Sequence, residues 1–194
     1  MAAVAAPRHP TVVAAVEAAR AAGEVAMRYY RGGFEITIKP DQTPVTQADR
    51  EAEETITAIL RRAFPDMGFL GEEFGPQGPT DRRWIIDPID GTKNFVRRLP
   101  IWAVLIALEE HGEVTTGVVL HPVSGDLFWA RRGEGAYANG ERLRVSECAG
   151  MKDAFLLHSS LSLLRPTPYW PGFVRLIDAT SRTRGFGDYY GYCL

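Results

Sequence analysis

The run Trp84-Ile85-Ile86-Asp87-Pro88-Ile89-Asp90-Gly91-Thr92-Lys93-Asn94-Phe95 narrows what this chain can become more than any other segment. Its apolar start predicts a buried strand that delivers Asp87 to its end. Pro88 then predicts a turn, with Asp90 emerging one turn later, so two carboxylates can converge on one point. Hard divalent cations such as Mg²⁺ take that kind of oxygen donor set, and the Ile89 carbonyl is a further donor. Gly91 and Thr92 open a helix through Phe95 and Val96, whose free N–H groups and dipole make a seat for phosphate. An isolated Asp-Gly pair reads as a turn. Carboxylate, turn, carboxylate, glycine and hydroxyl in order after an apolar strand read as a site.

Two neighbouring segments add acidic groups. Gly71-Glu72-Glu73-Phe74-Gly75 follows a second apolar run, Met67 to Leu70. Alone it is a solvated acidic loop, but its place past a strand end makes Glu72 a candidate bridge between two metals. Asp49 stands three residues after Thr46 and ahead of an apolar helical face, the pattern of a capping box. A carboxylate there can also hold a water or accept a proton.

The flanking periodicity predicts layered α and β structure. Val12, Val16, Ala19, Gly23, Ala26 and Tyr30 form one face of a helix opened by Thr11 and closed by Gly32-Gly33, with Glu17, Arg20, Glu24, Arg28 and Arg31 opposite. A second helix has Ala52, Ile56, Ile59, Leu60 and Ala63 inward and ends at Phe64-Pro65. Gly75 to Pro79 reads as a surface loop. Strands are expected at Ile101 to Leu108 and Val114 to Leu120, joined near His111-Gly112, then at Leu127 to Ala130 and Ala136-Tyr137, as an antiparallel meander. Later come a strand at Ala154 to His158, a Pro-rich loop at Arg165 to Pro171 and a helix from Gly172 to Ala179.

With 194 residues and a net charge of -2, the chain can bury a real core and gives no electrostatic reason to expect nucleic acid or an anionic membrane as partner. A phosphate would have to be met by local groups. Cys148 and Cys193 lack ligand or redox spacing, no run approaches a membrane span, and the expectation is a soluble, cytoplasmic protein acting on a small phosphorylated metabolite. No P-loop string occurs, which disfavours a kinase of that type.

Gly71-Glu72-Glu73, the Trp84 to Phe95 run, and the stretches Gly117 to Pro122 and Gly133 to Asn139 together resemble the inositol monophosphatase family, from Val12 to Leu194. The resemblance implies an α/β layered sandwich, α/β/α/β/α in order, spanning 1–194 as one domain, and Mg²⁺-dependent hydrolysis of small phosphate monoesters. By position it implies Glu72, Asp87, the Ile89 carbonyl and Asp90 as metal ligands, and Gly91 and Thr92 as the phosphate-binding turn. Thr92 and Asp49 match the pair that activates the attacking water, with Glu72 beside them and no covalent nucleophile required. A homodimer is a possible assembly.

Lys93 to Arg97 and the stretch Arg184 to Gly191 resemble the histidinol-phosphate phosphatase branch more than the inositol branch. Asp188, Tyr189 and Tyr190 after Gly187 place a carboxylate and aromatic rings where the inositol branch has small residues. Such groups suit an ammonium and an imidazole; the aromatics serve equally as core packing. Inositol monophosphate, a sugar phosphate or a nucleotide is the alternative substrate, and a catalytically silent binding module the alternative class. The family's third motif, a Trp-Asp pair, does not occur by Leu194, so the sequence predicts a domain whose final layers lie beyond this segment and an incomplete metal site.

Overall fold

A computed structural model describes residues 6–32, 36–38, 44–187 and 189–194. The chain divides into two compact units, one running to Leu143 and the other beginning at Arg144.

In the first unit, helix α1 covers Pro10–Gly32, a short antiparallel pair joins β1 (Ile36–Ile38) to β2 (Pro44–Thr46), and α2 covers Gln47–Ala63. Pro10 suits the first helical position because its missing N–H has no intrahelical acceptor there. The helix therefore opens one residue before Thr11. Its alanines bury a broader face than a simple stripe: Ala14, Ala15, Ala18 and Ala22 join Val12, Ala19, Gly23 and Ala26, while Glu17, Arg20, Glu24, Arg28 and Arg31 stay exposed. Small side chains let α1 lie close to the layer beneath. In α2 the buried row is Asp49, Ala52, Glu53, Ile56 and Leu60; Ala63, expected inward, is exposed at the frayed end.

One eight-stranded sheet follows: β3 (Gly68–Gly71), β4 (Gly75–Gln77), β5 (Arg82–Asp90), β6 (Ala103–Glu110), β7 (Glu113–His121), β8 (Asp126–Arg131), β9 (Gly135–Ala138) and β10 (Glu141–Arg142). Its spatial order is β10-β9-β8-β7-β6-β5-β3-β4. From β6 to β9 it is the expected antiparallel meander, which β5 and β10 extend at either side, whereas β3 runs parallel to β5. The β6–β7 link turns at His111 and Gly112 with φ of 54° and 80°, the two positive values of a type I′ hairpin turn. Gly75 to Gln77 is a strand, where a loop was expected, because the turn after Gly71 folds it back antiparallel onto β3.

Trp84 and Ile86 of β5, Val104, Ile106 and Leu108 of β6, Val118 and Leu120 of β7, and Trp129 of β8 are alternate residues on one face of the sheet and form the main core with α1 and α2. A second cluster of Ala26, Ala48, Ile89, Phe95 and Trp102 sits where the C-terminal part of α1 meets the start of α2.

The second unit pairs β11 (Phe155–His158) in parallel with β12 (Arg182–Gly185); α4 (Leu161–Leu164) and α5 (Trp170–Ala179) occupy the connection. Strand β12 was not anticipated: Arg182-Thr183-Arg184-Gly185 has no apolar alternation, and its pairing comes from β11.

Close backbone approach makes Gly68 sensitive. A Cβ there would stand 1.8 Å from the Pro79 carbonyl oxygen and 2.9 Å from that of Gln77, whereas nothing lies within 4 Å of a Cβ at Gly117. Gly68→Ala should cost about 3 kcal/mol or more and Gly117→Ala less than about 1 kcal/mol in urea unfolding, although both are strand glycines; equal costs would remove the packing explanation.

Candidate active site

The site is built at the end of β5 by a change of register. Asp87 faces Leu105 and Asp90 faces Ala103, so three steps along β5 match two along β6 and one residue is extra. Side chains three apart in a regular strand point to opposite faces. The bulge resets that alternation, and Asp90 comes round to the side of Asp87. The expected turn at Pro88 is therefore a bulged continuation of the strand. Pro88 tolerates it because the residue without an N–H falls where the ladder is interrupted.

Strand β3 supplies the third carboxylate. Gly71 pairs with Ile86 in the parallel ladder, and the Glu72 amide donates to the Ile86 carbonyl at 3.1 Å, which places Glu72 beside Asp87. The two carboxyl groups hydrogen-bond, and the Asp87 carboxyl is pushed up to about 9 by burial first, then by the charges of Glu72 and Asp90. Among the described residues no three His, Cys, Asp or Glu side chains already stand in ligand geometry. Glu72 and Asp87 are instead held side by side by that hydrogen bond. The donors on offer are all oxygen, with the Ile89 carbonyl adjacent, and their repulsion is of the kind a divalent cation relieves; the residues fit Mg²⁺ chemically.

Gly91 turns the chain away from β5 with φ 85°, and α3 (Thr92–Val96) follows. Five residues make little more than one turn, so the dipole is smaller than that of a long helix. The Asn94 and Phe95 amides both donate to the Gly91 carbonyl, at 2.8 and 3.0 Å, leaving those of Thr92 and Lys93 at the open end of the turn. The Thr92 hydroxyl donates to the Ile89 carbonyl at 3.1 Å, and the Ile89 amide donates to Asp87 Oδ1 at 3.2 Å. Ligand candidates and phosphate-turn candidate thus form one hydrogen-bonded unit.

Apolar anchors hold that unit. Phe95 and Trp102 are fully buried with ring centroids 4.9 Å apart edge to face, and Tyr30 of α1 packs on both. The following loop is tied by Asn94 Nδ2 donating to the Ile101 carbonyl at 2.8 Å and by the Tyr30 hydroxyl donating to the Arg98 carbonyl at 2.8 Å. His121 Nε2 donates to the Pro100 carbonyl.

Asp49 lies in the first turn of α2 and is 1% exposed, far more buried than a surface cap. One turn on is a group that the sequence reading passed over. Glu53 is equally buried and accepts the amides of Glu73 at 2.7 Å and Phe74 at 3.2 Å. Burial is the first cause holding its carboxyl above the ordinary range. The signal was present: Glu53 stands on the same helical row as Ile56 and Leu60, an acid inside an apolar stripe.

The remaining predicted residues belong to the second unit. Gly187 has φ 86° and lines a cavity of about 110 Å³ with Leu157, His158, Ser159, Gly191 and Tyr192. Tyr189 is buried and its ring packs on that of Tyr190 at 5.8 Å between centroids. Asp188 lies outside the described residues.

Because the folded state holds a proton on Asp87 between the ordinary value of 3.8 and about 9, metal-free stability should fall as pH rises through that window. Asp87→Asn removes the titration. In chelator at about pH 8 its Tm should exceed that of the parent by at least about 2 °C, and the difference should vanish near pH 4. Equal melting temperatures at both pH values would show that the carboxyls are not in conflict.

The profile of the Inositol monophosphatase family matches residues 8–168. Histidinol-phosphatase of Mycobacterium tuberculosis is 44% identical over 193 residues, covering 96% of this chain and 74% of that protein. Inositol-1-monophosphatase of Rhizobium meliloti is 42% identical over 125 residues, 63% of this chain and 47% of that one. Among solved structures, the extragenic suppressor protein suhB from Bartonella henselae superposes with a TM-score of 0.86 at 35% identity, over 92% of this chain and 71% of that one. Strand, bulge, acidic neighbour and glycine turn are thus set in a fold these proteins share, and the chain belongs to the inositol monophosphatase family, a phosphoric monoester hydrolase of layered α/β architecture.

Proposed function

We propose that the chain hydrolyses histidinol phosphate to histidinol and phosphate with Mg²⁺, through the residues gathered around the β5 bulge. The observation that carries the chemistry is the meeting of Glu72, Asp87 and Asp90, where burial and like charge hold a proton on Asp87 that a cation could replace. In this reading Glu72, Asp87, Asp90 and the Ile89 carbonyl hold the metal. When bound, Mg²⁺ neutralises charge on phosphoryl oxygens and acidifies water.

The chain's own groups supply the rest. The turn at Gly91 and Thr92, with the Thr92 amide at its open end, orients the phosphate. The Thr92 hydroxyl, now on the Ile89 carbonyl, orients the attacking water, and Asp49 accepts its proton. The inert anchors Phe95 and Trp102 keep the turn from yielding as charge builds on the phosphate.

The substrate rests on two supports. Similarity to a histidinol-phosphatase covers 96% of the chain, whereas the inositol-1-monophosphatase match covers 63% of it. Asp188 offers a carboxylate for the ammonium of histidinol phosphate, a charge that an uncharged polyol lacks.

Phosphate release from histidinol phosphate and inositol 1-phosphate, with Mg²⁺ and with chelator, tests the reading. Faster release from histidinol phosphate that stops in chelator is expected, and Asp87→Asn or Asp90→Asn should lower kcat/KM by about 100-fold or more. Preference for the inositol ester would reassign the substrate; full activity in chelator or in either variant would remove the metal.

Thr92→Ala separates two roles for one hydroxyl. A group that orients water should cost about 100-fold in kcat with KM little changed. A raised KM at unchanged kcat would make Thr92 part of the phosphate seat only.

A further inference from the structure

Three consecutive amides follow the end of β3, and each has a defined acceptor. Glu72 donates to the Ile86 carbonyl at 3.1 Å, Glu73 to Glu53 Oε2 at 2.7 Å, and Phe74 to Glu53 Oε1 at 3.2 Å. The first bond belongs to the sheet. The other two are made by a single carboxylate that rises from α2 and takes one amide on each oxygen. Glu53 does this while 1% exposed and close to the charges of Glu72 and Glu73. A carboxylate buried among like charges is costly, and a bent segment of backbone could meet its hydrogen bonds with water.

Gly71 shows how tightly the carboxylate is fitted. A Cβ at Gly71 would stand 1.6 Å from Glu53 Oε1 and 2.4 Å from its carboxyl carbon. Any side chain at 71 and the Glu53 carboxylate are therefore mutually exclusive. The glycine in Gly71-Glu72-Glu73 is explained by this approach, since Gly71 is regular strand on the β3–β5 ladder.

We propose that Glu53 is a positioning residue for the metal site: by gripping the Glu73 and Phe74 amides in the space left by Gly71, it fixes the turn that aims the Glu72 carboxylate at Asp87. The inference rests on the reading of Glu72, Asp87 and Asp90 as metal ligands. Glu53 itself touches neither metal nor substrate. It sets the angle at which the β3 end presents its ligand, and α2, which starts beside Asp49, thereby braces both acidic contributors.

Glu53→Gln tests this with almost no change of shape. Glutamine keeps one acceptor oxygen and sets an NH₂ donor against the other amide, so one bond is lost and two donors face each other. Three measurements on the whole chain are made together: calorimetric Mg²⁺ affinity with the metal alone, hydrogen exchange of the Glu73 and Phe74 amides without metal, and the KM against kcat split for phosphate release. Mg²⁺ affinity should fall about 10- to 100-fold, the two amides should exchange faster, and saturating Mg²⁺ should restore most of kcat with substrate KM little changed. Gly71→Ala should reproduce the loss by displacing the carboxylate. The double variant Glu53→Ala/Gly71→Ala should be no worse than the poorer single change, because both remove the same grip.

Asp87→Asn is measured alongside. If it abolishes Mg²⁺ binding while Glu53→Gln binds within about twofold of the parent, Glu53 is not a positioning residue and the proposal is overturned. Unchanged exchange at Glu73 and Phe74 overturns it as well. If Asp87→Asn binds Mg²⁺ as the parent does, the ligand assignment fails instead, and faster amide exchange would still show the grip to be real. Should Glu53→Ala not fold, Glu53→Gln and Glu53→Asp decide the outcome through the same affinities.

Discussion

Repulsion among Glu72, Asp87 and Asp90 is the constraint around which the first unit is arranged. Carboxylates do not gather under cover of protein unless the backbone compels them, and here it does so from two directions. A bulge in β5 turns Asp90 to the side of Asp87, and the parallel ladder with β3 brings Glu72 alongside. The cost is local and the restraint is distributed: Phe95 and Trp102 lock the chain after the bulge, and α2 braces the chain after β3. Buried carboxylates that repel one another would couple the folding of this region to the binding of any cation that they hold.

Much of this was legible in the residues. Long amphipathic helices and alternating strands announce themselves by period, so α1, α2 and the meander from β6 to β9 lie close to their expected bounds. The acidic string could be read because its chemistry needs those residues in that order. What could not be read was geometry decided by a partner strand. Asp87 to Asp90 looks like a turn around proline until β6 pairs on both sides of it. Gly75 to Gln77 and Arg182 to Gly185 have little strand character of their own and take it from neighbours.

Glu53 marks a different limit. Periodicity places it on the buried row of α2, yet a glutamate among charged neighbours reads by composition as solvent-facing. Only the position of Gly71, distant in sequence and adjacent in space, shows why an acid belongs there. Asp49 is similar: its capping pattern reads as a surface feature, yet it is 1% exposed.

The two borders of the large sheet carry a consequence for how the molecule behaves among its own copies. One border is β4, three residues long with an exposed Pro76 at its centre; the other is β10, only the exposed pair Glu141 and Arg142. Proline offers no donor, and a two-residue charged strand offers almost no template. An eight-stranded sheet would otherwise be an invitation to strand-by-strand polymerisation, and these ends withdraw it. Edge-to-edge strand pairing between copies of this unit is thereby disfavoured.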